Sequence, residues 1–179
     1  NISPIYEFLL VKTLDSWTQS AVHNLDTILL DTLSALQLSY RFNDSPAIIK
    51  ALSRIAREEL RHFEQVLTII KRRGIKIQHL NAPRYANNYT HACVNSDNSL
   101  VDQLLITGII EARSCERFYQ LDHTIDKDLS TTYQKLYQAE FLHFGFFIDL
   151  ALRMKSDCNH QHNRLLRHEK SLIEQPKSP

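Results

Sequence analysis

Two Glu-x-x-His steps, Glu59 to His62 and Glu140 to His143, lie in long stretches whose apolar residues recur at helical spacing. Residues three apart are neighbours on one helix face, so each step can offer a carboxylate oxygen and an imidazole nitrogen to the same metal ion. A third carboxylate, Glu111, precedes the second step by 29 residues. Glutamates and Glu-x-x-His pairs projecting inward from separate helices form the ligand pattern of a carboxylate-bridged two-metal site in a four-helix bundle.

The spacing alone proves little, so the surroundings decide. Leu52, Ile55, Ala56, Phe63, Val66, Leu67 and Ile70 share the face of Glu59 and His62, while Arg54, Arg57, Glu58 and Arg61 point mostly elsewhere. Tyr133, Leu136, Phe144, Phe147 and Ala151 share the face of Glu140 and His143; Leu104, Gly108, Cys115 and Phe118 share that of Glu111. Three carboxylates and two imidazoles are thus expected in one core. Uncompensated buried charges cost several kcal/mol each, roughly, or force the groups to protonate, and a pair of divalent cations removes that penalty. The bland alternative for any one glutamate is a bond to a buried Arg or to a backbone group. Cys115, one turn beyond Glu111, reads as a small core thiol rather than a ligand.

The predicted architecture is all-α. Glycine occurs only three times, and Pro4, Pro46, Pro83, Pro176 and Pro179 lie where helices can begin, end or be absent. A first helix from about Asp15 to Phe42 yields at Asn43, Asp44 and Ser45, with Ser45 as N-cap and Pro46 opening a second helix. That helix runs to Arg73 and stops at Gly74, with Lys71, Arg72 and Arg73 at the negative end of its dipole. Ser99 and Asp102 form a capping box for a third helix continuing to about Asp122. A fourth spans about Asp128 to Lys155, and the His-rich, basic tail adds a shorter helix through Leu165 to Ile173, packed outside the bundle. The expectation is one domain over 1–179, with a bundle at about 15–155 and a helical tail at about 157–175.

Net charge of +1 excludes a generic nucleic-acid binder. One local basic patch stands out: Lys71, Arg72, Arg73, Lys76 and Arg84 cluster in and after the end of the second helix. No apolar run reaches the roughly 18 residues of a membrane span, and no signal-peptide pattern is present. Cys93, Cys115 and Cys158 are odd in number and form no C-x-x-C, which favours a reducing compartment.

The strings REELRHFEQV from Arg57 to Val66, KRRGI from Lys71 and IEARSCERF from Ile110 to Phe118 resemble the MiaE-type bacterial tRNA hydroxylases, which act on 2-methylthio-N6-isopentenyladenosine. The likeness runs from about Trp17, through NLDTILLD, to about Ile173. It implies a ferritin-like four-helix bundle with additional short terminal helices, housing a non-haem di-iron monooxygenase in the bacterial cytoplasm. The implied reaction hydroxylates the isopentenyl group next to the anticodon, with two iron ions as cofactor, dioxygen as co-substrate and electrons from an external reductase. The implied partners are the tRNA anticodon loop and that reductase, with no membrane, in a monomer or small oligomer.

Carried over by position, Glu59 and Glu140 match the bridging carboxylates, His62 and His143 the imidazoles, and Glu111 the terminal carboxylate of the third helix. One part of the family pattern is missing. A His-x-x-Cys-Glu-like segment should follow NLD in the first helix, whereas here Asp31 passes straight to TLSALQLSYRF. Either about two helical turns are deleted, which would preserve the facing of the residues beyond, or a segment is omitted from the chain. With a true deletion, Asp31 is the candidate substitute ligand, 28 residues before Glu59. Without a fourth carboxylate, two ferrous ions would leave the site with one excess positive charge and one weakly held iron.

Phe63, Phe118, Phe144 and Phe147 are candidates for a dry pocket or for ordinary core packing, and Tyr119 and Tyr137 for proton steering or structural hydrogen bonding. The rival functions are a ferritin-like iron-binding or ferroxidase protein, and a metal-deficient tRNA-binding relic.

Overall fold

The computed structural model describes residues 13–77, 99–122 and 127–174. Five helices and no strand occur among the described residues: α1 (Thr13–Arg41), α2 (Pro46–Arg72), α3 (Ser99–Asp122), α4 (Lys127–Met154) and α5 (Asn159–Glu174). The four long helices agree with the expected boundaries to within two residues. Helix α1 is continuous through Asp31 and Thr32, the point where the family segment is missing.

The ends of α2 are set by local chemistry. Pro46 sits in the first turn, where its missing N–H costs nothing. Ser45 is the N-cap residue, but its side chain makes no capping hydrogen bond, contrary to expectation; only its carbonyl joins the helix, accepting from the Ile49 N–H. At the other end Gly74 adopts φ +68°, the left-handed conformation that glycine enters without Cβ strain. Its N–H donates to the Lys71 carbonyl and the Ile75 N–H to that of Ile70, the paired bonds of a Schellman motif.

Helix α1 packs along α2, and α3 along α4; α1 also meets α3, and α5 lies against α3. Gly108 marks a tight approach of α3 to α4, since a Cβ there would fall 2.9 Å from the Ile148 Cδ1. The core is divided in two. One apolar cluster includes Ala35, Leu52, Ile55, Leu104, Phe147 and Leu165; the other includes Leu25, Ile28, Val66, Ile70, Phe118 and Tyr133. Along α1, α2 and α4 the chain passes from one cluster to the other where the acidic and imidazole side chains fall, so these form a polar layer between two apolar ones.

The tail helix lies within the expected 157–175 and reaches back to Asn159, six residues before Leu165. It is not merely an outer addition, because Cys158 and Leu165 belong to the first apolar cluster. Two ion pairs fix it on α3: Arg164 donates to the Asp102 carboxylate at 2.6 Å, and Arg113 donates through Nε and Nη2 to both oxygens of Glu169 at 2.7 and 2.8 Å. Asp102, expected in a capping box, is fully buried and serves as an anchor for α5. No described helix is long and apolar enough to cross a membrane.

Candidate metal centre

The polar layer gathers the residues expected in it. Glu59, Glu111, Glu140, His62 and His143 are all buried, and Asp31 joins them from α1. Glu59, Glu111, Glu140 and His143 each place one ligand atom within 4.8 Å of all the others. His62 Nδ1 lies 3.5 Å from Oε1 of Glu59 and 3.5 Å from Oε1 of Glu140, so the two Glu-x-x-His steps face each other across the bundle. The two imidazole centroids are 6.1 Å apart.

Proximity here is not hydrogen bonding. His143 Nδ1 is 2.8 Å from Glu59 Oε1, yet neither atom has a hydrogen-bond partner among the described residues. The same holds for Glu59 Oε2, both oxygens of Glu111, Oε2 of Glu140, Nδ1 of His62 and Oδ1 of Asp31. Buried polar atoms are nearly always satisfied, because leaving one bare costs about 1–3 kcal/mol and more for a charge. Eight such atoms in one layer, all oxygen or imidazole nitrogen, fit a divalent first-row cation bound by hard and borderline donors.

The protonation pattern reflects the same crowding. Burial pushes the Asp31 carboxyl well up, and the Glu59 and Glu140 charges push it further. Glu111 is likewise driven up by burial and then by Asp31 and Glu140. Burial raises Glu140 too, but the Glu111 carboxyl and the two imidazoles outweigh this and hold it down. For His62, burial lowers basicity, yet the Glu140 and Glu59 carboxylates prevail and raise it to about 10. His143 is raised by Glu59 and Glu58 against the same burial. The layer therefore retains protons that a bound cation must displace.

One participant was not expected from the sequence. Glu58, placed among residues pointing elsewhere, turns its Oε2 to within 3.0 Å of His143 Nε2. Its other oxygen lies 3.8 Å from Arg54 Nε and 3.9 Å from Arg61 Nη2. A carboxylate can only accept, so the neutral His143 ring carries its proton on Nε2 and turns the Nδ1 lone pair to the interior. The doublet Glu58-Glu59 carried a signal: a long side chain one step from an inward position can still reach across to the facing helix.

Cys115 behaves as a core thiol. It is buried, its sulfur is 3.8 Å from the Tyr137 carbonyl, and burial followed by the Glu140 charge pushes it up to about 12. Phe118 and Phe147 are buried in the two apolar clusters, whereas Phe63 and Phe144 are half-buried. Tyr119 is exposed and Tyr137 half-buried, their rings 6.1 Å apart on the outer side of α3 and α4. Lys71, Arg72, Arg73 and Lys76 are exposed at the end of α2; Arg84 and Cys93 lie outside the described residues.

Residues 1–179 match the MiaE family, described as tRNA-(MS[2]IO[6]A)-hydroxylase. A tRNA 2-(methylsulfanyl)-N(6)-isopentenyladenosine(37) hydroxylase of Pseudomonas putida is 36% identical over 159 residues, covering 84% of this chain and 78% of that protein. The chain belongs to this family. A Salmonella typhimurium protein of the same description is 34% identical over 111 residues, 62% of this chain and 41% of that protein. Among solved structures, a Synechococcus protein described as having aldehyde deformylating oxygenase activity superposes with a TM-score of 0.72 at 29% identity, covering 94% of this chain and 90% of that one. The fold of this MiaE family member is thus ferritin-like, and its buried carboxylate and imidazole layer occupies the interior of the bundle.

Proposed function

We propose that this protein hydroxylates the isopentenyl group of 2-methylthio-N6-isopentenyladenosine next to the anticodon of tRNA. The observation that carries the reading is the convergence of Glu59, Glu111, Glu140 and His143 within 4.8 Å, with His62 alongside, in a chain of the MiaE family. Glu59 and Glu140, each close to both imidazoles, would hold the iron together with them. His62 and His143 would bind one ion each, and Glu111 would complete the side nearer His143. When bound, the iron pair supplies dioxygen activation.

The residues of the chain have three further tasks. Glu58 orients His143, as its contact to Nε2 requires. The apolar clusters above and below the polar layer, with Phe118 in one and Phe147 in the other, exclude water from the reacting carbon. The basic end of α2, Lys71, Arg72, Arg73 and Lys76, meets tRNA phosphates. Lys71 lies twelve residues beyond Glu59, about 18 Å along the helix, a span compatible with an adenosine leaving the anticodon stack to reach the interior. The overall change is balanced by an external reductase: one oxygen atom enters a C–H bond, and the other leaves as water with two electrons and two protons.

The five helices act as a single unit in this reading. A tRNA substrate assigns the reaction to the cytoplasm.

The direct test incubates iron-loaded protein, reductant and dioxygen with tRNA carrying the unhydroxylated nucleoside, followed by digestion and mass analysis. A nucleoside gaining one oxygen atom is expected. Unchanged nucleoside at full iron occupancy would reject the hydroxylase reading, leaving iron oxidation or tRNA binding without chemistry as the alternatives.

A further inference from the structure

The layer is not symmetric. The ligand atoms of Glu59, Glu111, Glu140 and His143 form a compact set within 4.8 Å, and neither His62 nor Asp31 belongs to it. Both are nonetheless buried in the same layer. His62 reaches the set only at its shared wall, 3.5 Å from Glu59 and from Glu140.

Asp31 is the fourth carboxylate of this interior and the one contributed by α1. It is 2% exposed, and its Oδ1 has no hydrogen-bond partner among the described residues. Glu59 and Glu140 oppose its ionisation and Arg117 favours it, while Asp31 in turn acts on Glu111. A structural ion pair with Arg117 would be the ordinary explanation. Arg117, which also donates to Thr27 Oγ1 and to Ser114 Oγ at 3.3 Å each, does not satisfy Oδ1 of Asp31, which has no hydrogen-bond partner among the described residues. A carboxyl so buried either keeps its proton or takes a cation that the protein alone does not supply at that oxygen.

We infer that the centre consists of two unlike half-sites sharing Glu59 and Glu140: a compact one completed by Glu111 and His143, and a looser one completed by His62 and Asp31. The inference rests on the two-metal reading above. It assigns Asp31 the role of terminal carboxylate from α1, so that four carboxylates balance two divalent cations. It also sets an order of filling. The compact half-site already has four donors in place, with His143 held by Glu58, and binds first. The looser half-site depends on an aspartate, a side chain one methylene shorter than glutamate, and binds second and more weakly.

Cobalt(II) titration tests this without turnover, because its visible absorption reports both stoichiometry and coordination geometry. The intact chain should bind two cobalt ions in two resolved phases. Asp31→Asn should weaken the second phase by at least roughly tenfold while leaving the first in place. Asp31→Glu should retain two ions. Glu111→Gln should instead weaken the first phase. Melting of the metal-free Asp31→Asn protein separates ligation from packing: a ligand-only aspartate gives an unchanged or higher melting temperature, since a bare buried carboxylate is removed. Two equivalent phases, or two phases unmoved by Asp31→Asn, would overturn the unlike half-sites and leave the two-metal reading standing. Loss of melting temperature together with both phases would overturn the assignment of Asp31 as a ligand. Absence of any cobalt binding by the intact chain would overturn both.

Discussion

His143 is held between two adjacent glutamates of the facing helix, its Nε2 3.0 Å from Glu58 and its Nδ1 2.8 Å from Glu59. The first contact is a hydrogen bond that fixes the ring; the second is a close approach of two unsatisfied atoms. One glutamate therefore orients the imidazole, and the next sets a bare oxygen beside its Nδ1.

Removing the orienting group should loosen the metal. Glu58→Ala frees the His143 ring and is expected to lower affinity at the compact half-site by about ten- to a hundredfold, the usual effect of losing such an outer partner. Chelator competition against cobalt(II) measures it, and Glu58→Gln, which keeps an acceptor oxygen, should recover part of the loss. An affinity unchanged in Glu58→Ala would show that the contact has no positioning role.

Stability of the metal-free protein should fall as the solution becomes alkaline. His62 has its basicity raised on folding from 6.5 to about 10, so its contribution is complete below 6.5 and lost as pH rises towards 10. Asp31 and Glu111, raised by burial and by neighbouring carboxylates, act in the same direction from mildly acidic pH upward. Metal binding should flatten this dependence and release protons, which titration calorimetry in buffers of different ionisation enthalpy detects. A metal-free melting temperature that rises between pH 6.5 and 10 would contradict the assigned protonation of the layer.

The tail helix is anchored rather than loosely attached. Glu169 is buried and takes two bonds from Arg113, so Glu169→Ala should destabilise the fold by about 1–3 kcal/mol, read by chemical denaturation. Arg113 keeps its 2.6 Å partner Glu116, which limits the loss. Metal stoichiometry should be unaffected, because no described side chain of α5 belongs to the polar layer.

The basic end of α2 should act on tRNA and not on metal. Replacing Lys71, Arg72 and Lys76 together by Gln is expected to weaken tRNA binding and to reduce its salt dependence by roughly one logarithmic slope unit per lost phosphate contact. Iron loading should remain intact. Unaltered tRNA affinity and salt slope would move the RNA contact to another surface.

Much of this fold is legible in the sequence because its determinants are local. Pro46 and Gly74 bracket α2 by their own backbone preferences, and the apolar spacing around Glu59, Glu111 and Glu140 marks inward faces. Packing across helices sets the features that the sequence conceals. Ser45 has the right identity for a cap but not the side-chain bond. Asp102 reads as part of a local capping box, yet it pairs with Arg164, 62 residues away. Glu58 lies one step off the inward face and reaches the site only because α4 brings His143 opposite it. The direction of Asp31 is ambiguous from spacing alone; a continuous α1 packed on both α2 and α3 turns it inward.

On this reading, the polar layer would hold iron that supplies dioxygen activation, and one atom of dioxygen enters the isopentenyl group of tRNA. The most direct test of that chemistry is a single-turnover reaction of the two-iron protein with heavy-isotope dioxygen, with mass analysis of the released nucleoside. Incorporation of one heavy oxygen into the isopentenyl hydroxyl is predicted, lost when Glu59 or Glu140 is replaced by Ala. A hydroxyl carrying only oxygen from water, or no hydroxyl at two irons per chain, would contradict it.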